Sequence, residues 1–246
     1  MVWPDEIKRV KSTPFVSIVT PTYNRRQFIP WLIRCVEHQT YPREYTEWVI
    51  YDDGSDSIYD IIEPFISTLN IRYIRGDIKL NVGAKRNALN AAARGDIIVT
   101  MDDDDYYPPE RISHAVQMLQ LRKCEIAGST RLNLYYTDDG SIWEVGPYNS
   151  KHATFGTMAY TKRYAETHKC DESVVYAEEA AFTSNYSEPM AQLDPNKVML
   201  VICHNDNTFS KDGIRKGGEN PVVKKTGMKI RAFIKNADLR NFYKST

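Results

Sequence analysis

The chain of 246 residues has little cysteine, no excess of either charge and no long apolar run. Each shortage removes a class of protein. The four cysteines, Cys35, Cys124, Cys170 and Cys203, stand far apart with no C-x-x-C pair. That spacing argues against zinc, and each is expected as a free thiol in a reducing compartment. The 32 basic residues balance 32 acidic ones, giving a net charge of 0. A general nucleic-acid binder would carry a basic surplus, so no nucleic-acid partner is expected. No run approaches the roughly 18 apolar residues of a membrane span, so a soluble, cytoplasmic protein without a transmembrane segment is expected. Internal repeats are absent. Asn185-Tyr186-Ser187 matches a glycosylation sequon, but it falls in a predicted helix and is given no role.

What is present is patterned. Residues 15–20 form a short apolar run that Pro21 stops, as a buried strand would. Phe28, Leu32, Cys35 and Val36 follow at helical spacing over residues 26–38, with Pro30 in the first turn. Strands are predicted at 47–51, 71–75 and 96–101, and helices at 59–69 and 83–93. This alternation predicts an α/β fold with a mostly parallel sheet flanked by helices. Ligands of such sheets sit beyond the carboxyl ends of the strands. Three polar clusters lie at those ends: Pro21-Thr22-Tyr23-Asn24, Asp52-Asp53, and Asp102 to Asp105.

The second half reads differently. Pro108-Pro109 open a helix to about Leu121, and Asp138-Asp139-Gly140 marks a small β-hairpin. Residues 153–160 read as extended, 176–186 as helix, and 197–203 as a strand ending at His204. Residues 210–220 read as a flexible loop. Beyond residue 206 the chain is basic, with Lys211, Arg215, Lys216, Lys224, Lys225, Lys229, Arg231 and Lys235. Either a solvated arm or a lid over an anion fits that composition.

Four consecutive aspartates are the strongest single feature. Ionised together in one folded crevice they would repel, so they call for a cation or for raised pKa values. A hard divalent ion, Mn²⁺ or Mg²⁺, suits carboxylate oxygen. The competing reading is a solvated acidic turn capping the next helix. The position straight after a buried strand, beside two other acidic loops, favours the metal.

Four stretches, in this order and spacing, carry a resemblance: Val16-Ser-Ile-Val-Thr-Pro-Thr-Tyr-Asn-Arg25, Val49-Ile-Tyr-Asp-Asp-Gly-Ser55, Gly83-Ala-Lys-Arg-Asn-Ala88, and Ile98-Val-Thr-Met-Asp-Asp-Asp-Asp105 followed by Pro108. The sequence resembles the family 2 glycosyltransferases, closely over residues 15–110 and more loosely over 150–205. The resemblance implies a single GT-A (Rossmann-like) domain over residues 1–205, with a nucleotide-binding half at about 15–107 and an acceptor half at about 108–205. A basic loop and tail would occupy 206–246.

The resemblance also implies roles. Pro21, Thr22 and Tyr23 would line the nucleoside pocket, and Asp52 or Asp53 would read the edge of the base. Lys85 or Arg86 would lie near the nucleotide, at a helix start that favours anions. The family's Asp-x-Asp element maps onto Asp102-Asp103-Asp104, with Asp102 on the ribose and also a candidate metal ligand, and Asp104 on the metal. The run could slip by one, which keeps Asp103 and Asp105 in play. His204 would be a further metal ligand or a structural histidine. The family's base is an Asp in a Glu-Asp pair; here the pair is Glu178-Glu179, making Glu179 the expected base unless both are first-turn helix charges.

The function implied is inverting, metal-dependent transfer of a sugar from a nucleotide-diphosphate donor, a UDP-sugar first, to a hydroxyl acceptor such as a growing glycan. Phosphoryl or nucleotidyl transfer and an inactive carbohydrate-binding module are the alternatives. Dehalogenase-type phosphatases place Asp-x-Asp on the first strand, and nucleotidyltransferases place a glycine-rich loop there; this chain has neither. Trp143, Tyr148 and Phe155 fit an acceptor platform or ordinary packing equally. His114, His152 and His168 carry no catalytic context.

Overall fold

The computed structural model describes residues 13–175, 177–207, 210–216 and 220–245. Its main sheet has seven strands: β1 (Val16–Thr22), β2 (Thr46–Asp52), β3 (Ile71–Arg75), β4 (Ile97–Thr100), β5 (Ile126–Gly128), β8 (Ala159–Thr161) and β9 (Ala191–Gln192). Their order is β3-β2-β1-β4-β8-β5-β9. The first four run parallel, β8 runs antiparallel to both its neighbours, and β9 is parallel to β5. The expected mostly parallel sheet is therefore present.

Alternation along each strand sorts the core onto two faces. Ile18, Trp48, Ile50 and Val99 pack with α1 (Ile29–Glu37), α2 (Tyr59–Ile62) and α4 (Arg111–Arg122). Val19, Val49 and Ile98 face α3 (Val82–Ala92) and α5 (Lys162–Thr167). Covering both faces is why the parallel strands read as unbroken apolar runs. Pro21 does not stop β1. Pairing with β4 ends at Val19, so the missing N–H of Pro21 breaks no ladder on that side.

Several expected elements are corrected. The 59–69 helix is split at Pro64, where a 3₁₀ turn (Glu63–Phe65) replaces α-helix. The 176–186 helix shrinks to α6 (Glu179–Phe182), because Ser184, Asn185 and Tyr186 turn left-handed at φ 49°, 56° and 57°; Tyr176 lies outside the described residues. Within 153–160, a 3₁₀ turn (Phe155–Thr157) interrupts the extended chain. The loop expected at 210–220 contains α7 (Asp212–Lys216), and residues 217–219 lie outside the described residues.

The hairpin is present as β6 (Leu132–Tyr136) and β7 (Ile142–Val145), with Gly140 at φ 66° in its turn. It is also the middle of a second sheet. β10 (Leu200–Cys203) adds parallel to β6, and β11 (Val223–Lys225) adds antiparallel to β7. The C-terminal segment is thus no solvated arm. Besides β11, it supplies α8 (Ala237–Ser245), whose Leu239 and Tyr243 are buried in the main core. No described helix is long and apolar enough to cross a membrane, and the four cysteines are free thiols.

Candidate active site

The strand order reverses direction at β1 and β4, and the crevice beyond their carboxyl ends is where such sheets bind ligands. A cleft of about 1080 Å³ occupies that position. Pro21, Thr22, Tyr23 and all four aspartates border it, as do Lys85, Arg86 and Glu178. Its far wall belongs to the second sheet, through Leu132, Leu134, Val145 and Val201.

The aspartates divide into two kinds. The loop is folded tightly: the Asp102 N–H donates to the Tyr107 hydroxyl at 2.6 Å, and the Asp105 carbonyl accepts from the Tyr243 hydroxyl at 3.1 Å. Asp105 also accepts the Ile202 N–H at 2.9 Å, tying this loop to β10. Asp103 and Asp105 are buried, and burial together with the adjacent Asp104 charge raises both carboxyls far above the usual range. Asp102 and Asp104 keep 25% and 17% of their side chains exposed. Burial works against the charge of Asp104 too. A hydrogen bond from His204 and the charges of Lys211, His204 and Arg25 outweigh it and hold the carboxyl below its ordinary value. All four border the cleft, but Asp102 and Asp104 are the more exposed pair and Asp103 and Asp105 the buried one.

His204 stands 3.3 Å from Asp104 with its ring packed on Phe28. Its Nδ1 accepts the Asp206 N–H at 3.2 Å. Asn207 lies 3.2 Å from Asp104 and 2.9 Å from Nε2, completing the bracket. Among the described residues no three His, Cys, Asp or Glu side chains gather closely enough to hold a metal alone. The donor set suits a hard cation that takes the rest of its shell from diphosphate oxygens and water, as Mg²⁺ does.

Arg86 is the hub on the opposite side. Its guanidinium lies over the Phe155 ring at 4.1 Å, donates to Glu178 at 2.7 Å and to Asp102 at 3.0 Å. Burial opposes its charge, but the two carboxylates prevail and raise its pKa further. The Asp102 carboxylate fits here because residue 156 is glycine: a Cβ there would come within 2.9 Å of its oxygen. Lys85 is likewise committed, 2.5 Å from Asp53 and 3.3 Å from the Thr22 carbonyl. Tyr23 carries Lys79 over its ring at 4.2 Å.

The acidic pairs need correcting. Asp52 is fully buried and engaged by the Gly54 N–H, the Ile58 N–H and the Tyr73 hydroxyl at 2.9, 3.3 and 2.6 Å. It shapes the loop after β2 and does not border the cleft. Asp53 is buried against Lys85 and the Leu80 N–H, also off the cleft wall. Glu179, the expected base, does not border the cleft either, whereas its neighbour Glu178 does. Sequence reading missed Arg25 and Asn207 beside Asp104, although Arg25 lies inside a matched stretch. It also missed Arg111, fully buried beneath the loop with donors to the Thr100 and Met158 carbonyls at 3.0 and 2.7 Å; no sequence signal marks it.

A mostly parallel sheet with this cleft at its switch point defines the class, an α/β protein of GT-A fold. The chain belongs to glycosyl transferase family 2, whose profile matches residues 17–175. It is 29% identical over 196 residues to the poly(ribitol-phosphate) beta-N-acetylglucosaminyltransferase TarS of Staphylococcus aureus strain MW2, covering 75% of this chain and 34% of that one. It is 32% identical over 124 residues to the undecaprenyl-phosphate 4-deoxy-4-formamido-L-arabinose transferase of Pseudomonas syringae pv. syringae strain B728a, covering 48% and 36%. The matches thus span about a third of these relatives' length. Among solved structures, S. aureus TarS with UDP-GlcNAc superposes at TM-score 0.66, 18% identity and 78% and 60% coverage. The mannosyltransferase PcManGT of Pyrobaculum calidifontis with GDP-Man and Mn²⁺ gives 0.66, 17%, 84% and 61%.

Proposed function

We propose that this chain transfers a sugar from a nucleotide-diphosphate donor to a hydroxyl acceptor with inversion at the anomeric carbon. One observation carries the reading: Asp102, Asp104 and Glu178 present carboxylates to a single cleft at the strand ends, with Arg86 fixed between Asp102 and Glu178. Pro21, Thr22 and Tyr23 form the nucleoside side, and Asp102 meets the ribose. Asp104, supported by His204, would hold Mn²⁺ or Mg²⁺. When bound, the metal neutralises charge that develops on the departing diphosphate.

Glu178 takes the role first given to Glu179. Its carboxylate, fixed by Arg86, accepts the proton of the acceptor hydroxyl. The acceptor oxygen bonds to the anomeric carbon as the carbon–oxygen bond to phosphate breaks, and that electron pair leaves with the nucleoside diphosphate. Inversion is inferred from the family and from the single candidate base, which suits one displacement. UDP is the first carrier to test, supported by the likeness to TarS solved with UDP-GlcNAc; Mn²⁺ is the first metal, supported by PcManGT.

Calorimetric titration of UDP, GDP and dTDP, with Mn²⁺ and again with chelator, tests this. Binding of one nucleotide that strengthens with metal is expected. A folded protein that binds none of the three overturns it.

A further inference from the structure

The cleft continues past Glu178 into a region that the donor roles leave unused. Tyr148 and His152 border it there. The Tyr148 and His152 rings lie 4.8 Å apart, and the His152 and Tyr186 rings 4.9 Å apart. Tyr148, at the outer end, is 53% exposed. Tyr186, at the inner end, lies in the field of Glu179 and Glu178: burial and these two charges push its phenol up to about 12. Tyr148 and His152 are thus the rings on the cleft wall, and Tyr186 backs His152 from behind it.

Of the three aromatic residues that the sequence offered as a platform, only Tyr148 reaches this wall. Phe155 is buried under Arg86, and Trp143 lies within β7. His152, backed by Tyr186, takes their place.

The row is built rather than incidental. Thr130 Oγ1 accepts the N–H groups of Tyr148 and Asn149 at 3.0 and 3.3 Å, and Gln192 Nε2 donates to the His152 carbonyl at 3.2 Å. Gly146, at φ 93°, allows the chain to pass Thr130, whose carbonyl would stand 2.0 Å from a Cβ. Lys151 Nζ donates to the Ser187 carbonyl at 2.6 Å, joining this loop to the turn that carries Tyr186. That turn holds three consecutive non-glycine residues in left-handed conformation. Such strain persists where the surroundings enforce it, commonly at ligand sites. Inside the row, His152 Nδ1 is buried with no hydrogen-bond partner. Burial also lowers the pKa of this imidazole, favouring the neutral ring.

We propose that Tyr148 and His152, backed by Tyr186, form a subsite that holds a pyranose ring of the acceptor beside Glu178. The C–H face of the sugar lies against the Tyr148 ring, and His152 meets a ring hydroxyl. An apolar face with a polar tip is what an aromatic and imidazole row offers, and what a pyranose requires. This assignment rests on the reading of the cleft as a glycosyl-transfer site.

Saturation-transfer NMR tests it with four probes, the methyl glycosides of glucose, galactose, mannose and N-acetylglucosamine, in the presence of UDP and Mn²⁺. At least one probe is expected to receive transfer at its ring C–H protons. Tyr148→Ala is expected to weaken that probe about tenfold, the scale of one aromatic contact, with UDP affinity unchanged. Tyr148→Phe keeps the stacking face and should bind as the parent does; Tyr148 is exposed, so neither change threatens the fold. Should UDP bind while no probe does, or should Tyr148→Ala leave the probe's affinity unchanged, the subsite is overturned and the donor site stands. Failure of UDP to bind, with a Tyr148-dependent probe still bound, supports the subsite and removes the donor reading instead.

Discussion

The two sheets are assembled in opposite ways. In the seven-stranded sheet, β1 to β4 arise within residues 16–100, each joined to the next by a short crossover. In the four-stranded sheet a local hairpin, β6–β7, waits for two strands from much later in the chain: Leu200 lies beside Asn133, and Val223 beside Val145. The first sheet supplies the aspartates and the nucleoside side; the second supplies the apolar far wall. They meet where Asp105 accepts the Ile202 N–H and where Tyr106 and Leu200 exchange backbone hydrogen bonds at 3.1 and 2.9 Å. The comparison teaches that the cleft is a seam. Carboxylates line one side and aliphatic side chains the other, and a few buried contacts keep them registered.

Five substitutions probe that division, from the largest effect down. Glu178→Gln should lower kcat about 10²–10⁴-fold, the range of a lost general base, with UDP affinity retained. Glu179→Gln should change kcat little in the same assay; the reverse ranking would return the base to Glu179. Asp104→Asn should remove the metal-dependent part of UDP affinity, by about 100-fold or more, since loss of even an outer-shell partner costs up to that much. Identical calorimetric curves with Mn²⁺ for parent and variant would exclude Asp104 as the ligand.

Asp105→Ala acts on the seam itself. Leaving the Ile202 N–H unpaired should cost about 1–3 kcal/mol in a urea-denaturation measurement. An unchanged midpoint would mean that the two sheets are joined elsewhere. The smallest effect concerns His114, whose Nε2 accepts the Asp194 N–H at 3.0 Å. Burial, with the Lys197 charge adding to it, lowers its pKa from 6.5 to about 4. The unfolded chain therefore takes up this proton before the folded one does. Stability contributed at neutral pH is lost as pH falls from 6.5 towards 4. His114→Gln keeps an acceptor and should flatten that part of the pH–stability curve; a slope equal to the parent's would show that other groups set it.

The first sheet and its loops were legible because each buried run ends in a polar cluster, and because the four aspartates follow such a run directly. Less could be read where elements are too short to show a period. β5 and β11 hold 3 residues each and β9 holds 2. Pro64 was a visible breaker within the 59–69 helix. In contrast, Ala-Glu-Glu-Ala-Ala-Phe carries no stop signal, and the left-handed turn after α6 comes from tertiary packing. The base illustrates the same limit. Adjacent helical residues point about 100° apart, so spacing alone could not say whether Glu178 or Glu179 faces the cleft. Asp52 lay beyond sequence reading for another reason: which carboxylates are consumed by backbone N–H groups is a property of the folded loop.

The pairing of β6 with β10 also fixes an order of events during synthesis. The β6–β7 hairpin leaves the ribosome with both outer edges bare. The strand that covers one lies at 200–203 and the strand that covers the other at 223–225. Until residue 225 has emerged, the far wall of the cleft is an open, aliphatic ribbon, the kind of edge that pairs with foreign strands. The nucleotide side can mature while that wall is still unfinished. In this protein the last part of the cleft to be enclosed is the wall whose outer strands come latest in the chain.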